Sequence, residues 1–513
     1  MRRPSAFLAA ALLACGGVPV KQQPPSGPVE PPAGAPAPQP QASAVPAGAA
    51  AADRATVPVP GPAPELKVPP QRHFQLASGL KVRLVRVTKL PIVSLHLAMD
   101  AGGLHDPGDK PGLAGFTAAM MTEGTKSRSA TQISDDLGFI GASLSAGAGF
   151  DSASLSGSVL SAHLDELLQI FADVLVNPTF PQGDFARVQD QRLVALIQQR
   201  DQPGAVASKA FSRLYWGDHP YGHWLMGTEH SVKATTREDL ARFHAARWKP
   251  GASELVVVGD VGEQELRTKL EKALAPWKGA APAVAAPAVA KPPRLQTVLI
   301  EKRGPAPQAF VMMGMPGFLR SSPDYVAAEV AFQVLGGGTS SRLFRNLREK
   351  EGYTYGIYAR AEARKLGGTS FIVGSVKADA TGAATKALLR EIADLRDNPV
   401  PQEEMDVARN ALLLSLPADF AVTAGIAGKL AEEVVYGLPD DYWDQYAAQV
   451  PRVTAEDVRR IAQKYLDPAK LTTVMVCEPG VVKPQLVGLP LGEVEVRPAA
   501  PASSGPGKAR AER

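Results

Sequence analysis

Side chains that could bind a catalytic metal are few and unevenly placed in this sequence. All eight histidines lie between His73 and His244, so the part of the chain after His244 cannot form a histidine site by itself. His219 and His223 are four residues apart, but the proline and glycine between them disfavour a helix that would turn both rings the same way. The two cysteines of the chain are too few for a thiolate zinc cluster or a disulfide framework.

Composition places the chain among ordinary globular proteins. Its 513 residues are 45% hydrophobic and 21% charged, which leaves room for two to four domains. The 55 basic and 51 acidic residues give a formal net charge of +4, too even for a protein that binds nucleic acid through its overall charge. No stretch approaches eighteen consecutive apolar residues, so no membrane-spanning helix is predicted.

The first residues have the pattern of an export signal. Two arginines precede a short apolar run, and Leu12-Leu13-Ala14-Cys15 resembles the lipobox of bacterial lipoproteins. This resemblance implies that residues 1–14 are removed and that Cys15 is lipidated, which would anchor the chain to a membrane. An ordinary signal peptide with a chance cysteine is the alternative. The expected location is the cell envelope, facing the periplasm, and the glycine after Cys15 favours the outer membrane.

Residues 15–70 are predicted to be a tether rather than a folded domain. The stretch 21–70 contains fifteen of the 46 prolines and no Phe, Trp or Tyr. Such a segment cannot bury enough apolar surface to offset its ordering entropy, so we expect it to make no core contacts. Residues 276–293 form a second Ala/Pro-rich stretch, which we interpret as a linker, and 483–513 are predicted to be a low-complexity tail.

The linker separates two halves that resemble each other, which predicts homologous domains at 71–275 and 294–482. Matching blocks recur at an offset of about 220 residues. The Leu-Leu and Asn-Pro pairs at 167–168 and 177–178 recur at 388–389 and 398–399, and Thr236-x-x-Asp239 recurs as Thr454-x-x-Asp457.

The order of the elements indicates an α+β fold. Apolar residues occur at every second position within 80–84 and 93–99, as they do in strands. Helical patterns follow at 163–175 and 181–200. Thr235 with Glu238 fits a helix-capping box. Because strands and helices occur in blocks rather than in strict alternation, each domain is predicted to be a mainly antiparallel sheet packed with helices.

Two long blocks carry a resemblance to a known family. The segment 227–261, with His-Pro-Tyr-Gly before it at 219–222, and the segment 335–356 (LGGGTSSRLFRNLREKEGYTYG) are similar to the insulinase/pitrilysin metallopeptidases. The similarity covers about residues 72–480. Active members carry an inverted zinc motif, H-x-x-E-H, in which two histidines bind zinc and the glutamate is the general base. A second glutamate on a later helix completes the metal site.

None of the four motif residues is present in this chain. The histidine positions of the motif fall on Gly115 and Ala119, and the glutamate position falls on Ala118. The position of the distal ligand falls on Ala195. The resemblance therefore implies a chain that holds no zinc and is inactive as a peptidase by itself.

Other residues give little support for a rebuilt zinc site. His105 and Glu123 flank the lost motif without its spacing, and His219 matches a family residue that is not a metal ligand. His96 lies in the middle of a predicted strand and His163 near the start of a helix, so both are interpreted as structural or surface residues.

The second half keeps an arginine and a tyrosine that the family presents to substrate, from the pattern R-x-x-x-G-x-x-Y. Here they are Arg348 and Tyr355, with Gly352 between them. A guanidinium donates in a fixed fork to peptide carbonyls, and a phenol hydroxyl can stabilise the oxyanion of a tetrahedral intermediate. The alternative is that Arg342, Arg345 and Arg348 form one solvated helix face.

The resemblance leads to three functional hypotheses. Some bacterial members of the family divide the zinc motif and the Arg/Tyr pair between two chains, and this sequence has the profile of the chain without zinc. The first hypothesis is a non-catalytic subunit that binds peptide substrate and assists cleavage at the zinc of a partner subunit of the same family. The second is an inactive scaffold or binding protein, and the third is a stand-alone peptidase with a rebuilt site. No nucleic-acid partner is expected.

Overall fold

The computed structural model describes residues 66–283 and 294–499. The predicted signal peptide, Cys15 and most of the tether lie outside the described residues. The first half is built on a six-stranded mixed sheet in the order β1-β2-β6-β3-β5-β4, in which only the β2–β6 pair is parallel. Its strands are β1 (Gln71–Gln75), β2 (Lys81–Arg86), β3 (Ile92–Met99), β4 (Ser143–Ala148), β5 (Ala153–Leu160) and β6 (Ser253–Gly259).

Eight helices accompany the first sheet. Several begin at a side-chain cap that satisfies the free backbone N–H groups, and the capping box of the seventh helix begins at Thr236, with Asp239, rather than at Thr235 as predicted. The helices are α1 (Leu113–Met120), α2 (Ala130–Phe139), α3 (Leu164–Val176), α4 (Gln182–Gln199), α5 (Pro203–Trp216), α6 (Glu229–Ala234), α7 (Arg237–Arg247) and α8 (Glu263–Ala273).

The second half repeats this architecture with a sheet in the order β12-β7-β11-β8-β10-β9. Here β7 is parallel to both of its neighbours and the other pairs are antiparallel. The strands are β7 (Gln296–Glu301), β8 (Gln308–Pro316), β9 (Thr354–Ala363), β10 (Gly368–Lys377), β11 (Thr472–Cys477) and β12 (Val494–Arg497).

The helices of the second half match those of the first in position. Both α4 and its counterpart α11 have eighteen residues at an offset of 220, and α7 and α14 each begin after a Thr-x-x-Asp capping box. This confirms two duplicated α+β domains. The helices are α9 (Tyr325–Gly336), α10 (Thr381–Asp397), α11 (Gln402–Asp419), α12 (Thr423–Tyr436), α13 (Tyr442–Gln449), α14 (Ala455–Tyr465) and α15 (Pro479–Val482), with a π-type helix at Phe344–Lys350.

Each sheet is covered on its second face by a helix from the opposite half. Helix α5 packs on β8 and β11, and α12 packs on β3 and β6. The fit of α5 requires a glycine in β8, because a Cβ atom at Gly314 would lie 2.0 Å from the ring of Phe211. The exchange of helices buries both faces of each sheet and joins the two halves.

Polar contacts reinforce the same interface. The hydroxyl of Tyr221, in the His-Pro-Tyr-Gly segment, donates to the Asp151 carboxylate and accepts from the backbone N–H of Leu366, 3.1 Å away. On the other side, Arg83 of β2 donates to Glu433 of α12. The predicted strand β2 is present, but its burial does not alternate as the sequence suggests, because α12 covers the second face of the sheet and Arg83 is buried there.

The folded body extends beyond three of the predicted boundaries. Strand β12 lies in the segment predicted to be a tail, and it pairs with the open side of β7, so the second half continues to Arg497. Near the other end, Leu66 and Val68 of the predicted tether pack against the second core. The predicted linker also begins with a buried residue, since Trp277 donates its indole N–H to the carbonyl of Trp248.

Within 66–283 and 294–499, no single helix is both long and apolar enough to cross a membrane. Helices α11 and α12 together have the length and composition, but a bend of 115° separates them. Helix α12 also packs on the first sheet, so its apolar face is already used inside the protein.

Candidate functional site

The zinc-motif window forms helix α1, and its residues there are small or apolar. Gly115, Ala118 and Ala119 lie on this helix, and Ala118 is buried in the first core. The Asp106 carboxylate caps the start of α1 by accepting the N–H groups of Gly112 and Ala114, both at 2.7 Å. The helix predicted to correspond to the motif thus has no metal-binding side chain at Gly115, Ala118 or Ala119.

Helix α4 packs against α1 and carries Ala195 at the distal ligand position. One turn before Ala195, Arg192 reaches toward Gly115. A Cβ atom on Gly115 would lie 3.6 Å from the Nη2 of Arg192 and 3.0 Å from the carbonyl oxygen of Leu225. Atoms of the chain itself therefore fill the space in front of the first motif position.

Arg192 is held in this place by two kinds of contact. Its Nη2 donates to the carbonyl of Met226 at 3.0 Å, and its guanidinium lies 5.0 Å from the ring centre of Phe116. Its Nε is buried without a hydrogen-bond partner. Burial lowers the pKa of Arg192 to about 10, although the negative charge of Asp106 opposes that shift. The guanidinium is therefore a cation at neutral pH. Burial raises the pKa of Asp106 to about 7, although the two backbone N–H groups and Arg192 oppose that shift.

This arrangement does not fit zinc. Hydrolytic zinc sites use nitrogen, sulfur or carboxylate ligands with one position left for water. No group of three His, Cys, Asp or Glu side chains able to hold a metal occurs in the described part of the chain. A guanidinium cation beside the motif helix adds electrostatic repulsion of a divalent ion.

The histidines are used elsewhere. His219 accepts the N–H of Tyr221 through Nδ1 at the start of a short 3-10 helix at Pro220–Gly222, which separates it from His223. His105 contacts Asp100 and Arg247 rather than Glu123. His96 contacts Ser156 of the neighbouring strand and His163 contacts Glu166, as expected for structural or surface residues.

Arg348 and Tyr355 are neighbours at the surface of the second half. Arg348 belongs to the π-type helix Phe344–Lys350, and Tyr355 is the second residue of β9. The Arg348 guanidinium lies 4.5 Å from the ring centre of Tyr355 and 4.6 Å from that of Phe344. Tyr355 is 75% exposed, so its hydroxyl is open to a ligand. Gly352 makes the turn between them with a φ of +64°, a conformation that disfavours other residues.

Arg345 and Arg348 of this helix and Arg342, just before it, do not share one environment. Arg342 is buried and donates to Asp394 at 2.6 Å and to Glu404 at 2.7 Å, and Arg345 also donates to Glu404. Arg348 instead stacks between two aromatic rings. Arg342 and Arg345 thus hold the helix on α10 and α11, and Arg348 is directed to the Tyr355 side.

The position of the pair in the sheet leaves room for a ligand. Strand β9 is the last in the order of the second sheet and pairs with β10 alone among the described strands. Tyr355, Tyr358 and Arg360 are exposed along it. The structure therefore presents the guanidinium of the π-type helix beside a phenol on β9, a strand whose second edge pairs with no other described strand.

Comparison with known proteins identifies the family. Residues 81–229 match the model described as Insulinase (Peptidase family M16), and residues 234–412 match the model described as Peptidase M16 inactive domain. A solved structure described as a peptidase M16 inactive domain, from Pseudomonas fluorescens, is 30% identical and has a TM-score of 0.75. The match covers 79% of this chain and 97% of that one. The chain belongs to the M16 peptidase family.

Relatives within the M16 family carry two kinds of name. One similar protein is called an uncharacterized zinc protease, YmxG of Bacillus subtilis, 21% identical over 67% of this chain and 84% of its own. Another is called a non-peptidase homolog, YmxG of Helicobacter pylori, 24% identical over 75% of this chain and 89% of its own. The M16 fold is thus shared by proteins named as peptidases and by at least one named as inactive.

Sequence reasoning located both candidate regions but missed the residues that complete them. Arg192 lies one helical turn before Ala195, and this spacing was the available signal that a cation faces the lost site. Phe344 lies four residues before Arg348, the spacing at which helix residues meet, but the pattern gives no sign that the ring supports the guanidinium.

Proposed function

We propose that this M16 chain is the non-catalytic subunit of a cell-envelope metallopeptidase. It would bind peptide substrate and assist cleavage at the zinc of a partner subunit of the same family. The observation that carries the proposal is the contrast between two sites in one chain. The first half has no metal ligand at Gly115, Ala118, Ala119 or Ala195, whereas the second half presents Arg348 and Tyr355 to solvent as a preformed pair.

The geometry of the pair supports a role in binding substrate. Stacking between Phe344 and Tyr355 limits the rotamers of Arg348, so less entropy is lost when its guanidinium donates to a peptide carbonyl. The Tyr355 hydroxyl lies on the same surface and is a donor suited to an oxyanion. In the proposed complex these groups would act on a peptide whose scissile bond lies at the partner's metal.

The proposal also includes the place of the complex in the cell. A lipid on Cys15 would tether the body to a membrane on the periplasmic side, most simply the outer membrane. The predicted tether, residues 15–70, would separate the anchor from the folded body, and its residues Leu66 and Val68 pack against the second core.

Co-purification from the native host tests the proposal. A tagged chain should bring down an M16 subunit with an intact H-x-x-E-H motif, identified by mass spectrometry, and the pair should cleave peptides while this chain alone does not. The scaffold alternative would be favoured by two results together. The chain would be recovered without such a partner, and adding a zinc-bearing M16 chain encoded beside it would produce no peptidase activity. Stoichiometric zinc in the isolated chain would favour a stand-alone peptidase.

A further inference from the structure

The most unusual feature of the lost zinc site is that the protein has filled it. The space in front of Gly115 holds the Leu225 carbonyl and the Arg192 guanidinium, both from elements outside α1. A Cβ atom at position 115 would already make a tight contact of 3.0 Å with the carbonyl, and the ring of a histidine there would compete with Arg192 and Leu225 for the remaining space. In this chain, the space in front of Gly115 is thus occupied by its own atoms.

The closing element is the loop 223–227, and it is tied to both helices of the lost site. On the α4 side, Met226 accepts from Arg192, and the Trp224 indole N–H donates to Gln199 at 3.1 Å. On the α1 side, the backbone of Gly227 approaches so closely that a Cβ on Gly112 would lie 2.5 Å from its nitrogen. The loop therefore lies over α1 as a fixed part of the fold.

Arg192 connects these parts electrostatically as well as sterically. It is a cation of α4 that contacts Phe116 of α1, and it donates to the loop. We propose that Arg192 and the loop 223–227 hold the place of the metal in this chain. Restoring the four family ligands therefore does not by itself restore zinc binding. This inference is independent of whether the chain has a partner.

Metal binding by designed variants tests the proposal. One variant carries Gly115→His, Ala118→Glu, Ala119→His and Ala195→Glu, and a second carries Arg192→Leu in addition. We expect the second to bind zinc at least tenfold more tightly than the first, measured by competition with a chromophoric chelator and by metal content after dialysis. The matched control carries the four ligand substitutions and Arg187→Leu, which removes an exposed cation of the same helix that pairs with Glu123 and Asp184. Its zinc affinity should stay within about twofold of that of the first variant.

Two results would overturn the proposal for variants that keep the native circular dichroism spectrum. One is stoichiometric zinc binding by the four-ligand variant with Arg192 intact, at the affinity of the variant that lacks it. The other is equal failure of both variants to bind zinc, which would show that Arg192 is not what keeps the metal out.

A second measurement does not depend on the four-ligand variants folding. In the otherwise unchanged chain, Arg192→Leu should speed amide hydrogen exchange in the loop 223–227 at least tenfold, because Met226 loses its donor and the space in front of Gly115 opens. Arg187→Leu should leave exchange in this loop unchanged. Equal exchange in the two variants would contradict the role given to Arg192.

Discussion

The buried ion pair between Arg83 and Glu433 offers a quantitative test of how the two halves are joined. Arg83 Nη1 donates to Glu433 Oε2 at 2.5 Å, and its Nε donates to Glu254 at 3.0 Å. Glu433 is fully buried, and its second carboxylate oxygen has no hydrogen-bond partner. Burial raises the pKa of Glu433 to about 7, although Gln71 and Arg83 oppose the shift.

Removal of Arg83 by Arg83→Leu should therefore cost stability in a pH-dependent way. The folded pKa of Glu433 lies above its ordinary value of 4.5, so stability from this group is fully present below pH 4.5 and is lost as pH rises through 7. Without Arg83 the folded pKa rises further, which adds a cost only where Glu433 would be ionised. We expect a loss of about 1–2 kcal/mol at pH 5.5, from hydrogen bonds, and about 3–4 kcal/mol at pH 8.5, because there Glu433 must either be protonated against the solvent pH or stay buried as an unpaired charge.

The assay is urea unfolding followed by circular dichroism at both pH values. Adding Glu433→Gln to Arg83→Leu should recover about 2 kcal/mol at pH 8.5, because the uncompensated charge is gone. Arg86→Leu, at the exposed end of the same strand, is the control and should change stability by less than about 0.5 kcal/mol. A loss that is equal at both pH values and is not relieved by Glu433→Gln would refute this reasoning.

Three further predictions concern other parts of the chain. Burial alone would raise the pKa of Asp324, but hydrogen bonds from Lys464, Arg460 and Tyr465 hold it at about 2. In urea titrations, Asp324→Asn should therefore lower the free energy of unfolding by about 2 kcal/mol at pH 7 and by almost nothing near pH 2. An equal cost at both pH values would contradict the pairing. The purified chain should contain well below one zinc per molecule by elemental analysis and should not cleave peptides; near-stoichiometric zinc with chelator-sensitive cleavage would exclude an inactive site. Cys15→Ser should move the protein from the membrane to the soluble fraction without changing its thermal midpoint, whereas unchanged membrane association would require another anchor.

The fold could be predicted from sequence to the extent that its signals are local. The matching Thr-x-x-Asp boxes and the apolar periods of α3 and α10 are short-range features, so the duplication and the α+β class followed from them. The exchange of α5 and α12 could not be predicted, because an apolar helix face does not specify which sheet it covers. For the same reason, Arg83 reads as a solvent-facing strand residue although a helix 350 residues away buries it.

In the candidate site too, local features could be predicted from the sequence and long-range contacts could not. The loss of the ligands at Gly115, Ala118 and Ala119 is a matter of residue identity, which the sequence contains in full. The occupation of that space depends on Arg192 donating to Met226 and on the Leu225 carbonyl approaching Gly115, contacts between remote segments that only the folded chain reveals. Strand β12 was missed because four residues in a Pro-rich context carry a weak strand signal, and it forms because β7 has an open edge.

The central claim is that this chain supplies Arg348 and Tyr355 to peptides cleaved at a partner's zinc. The most direct measurement is kcat/KM of the reconstituted pair carrying Tyr355→Phe, beside the association constant of the two chains. The substitution removes one hydroxyl and keeps the ring that stacks on Arg348, so assembly should be unchanged. We expect kcat/KM to fall by about 10²–10³, the usual cost of one lost oxyanion donor. A complex that assembles normally and cleaves at the unaltered rate would contradict this role for Tyr355, and an equally silent Arg348→Ala would leave the chain as a scaffold.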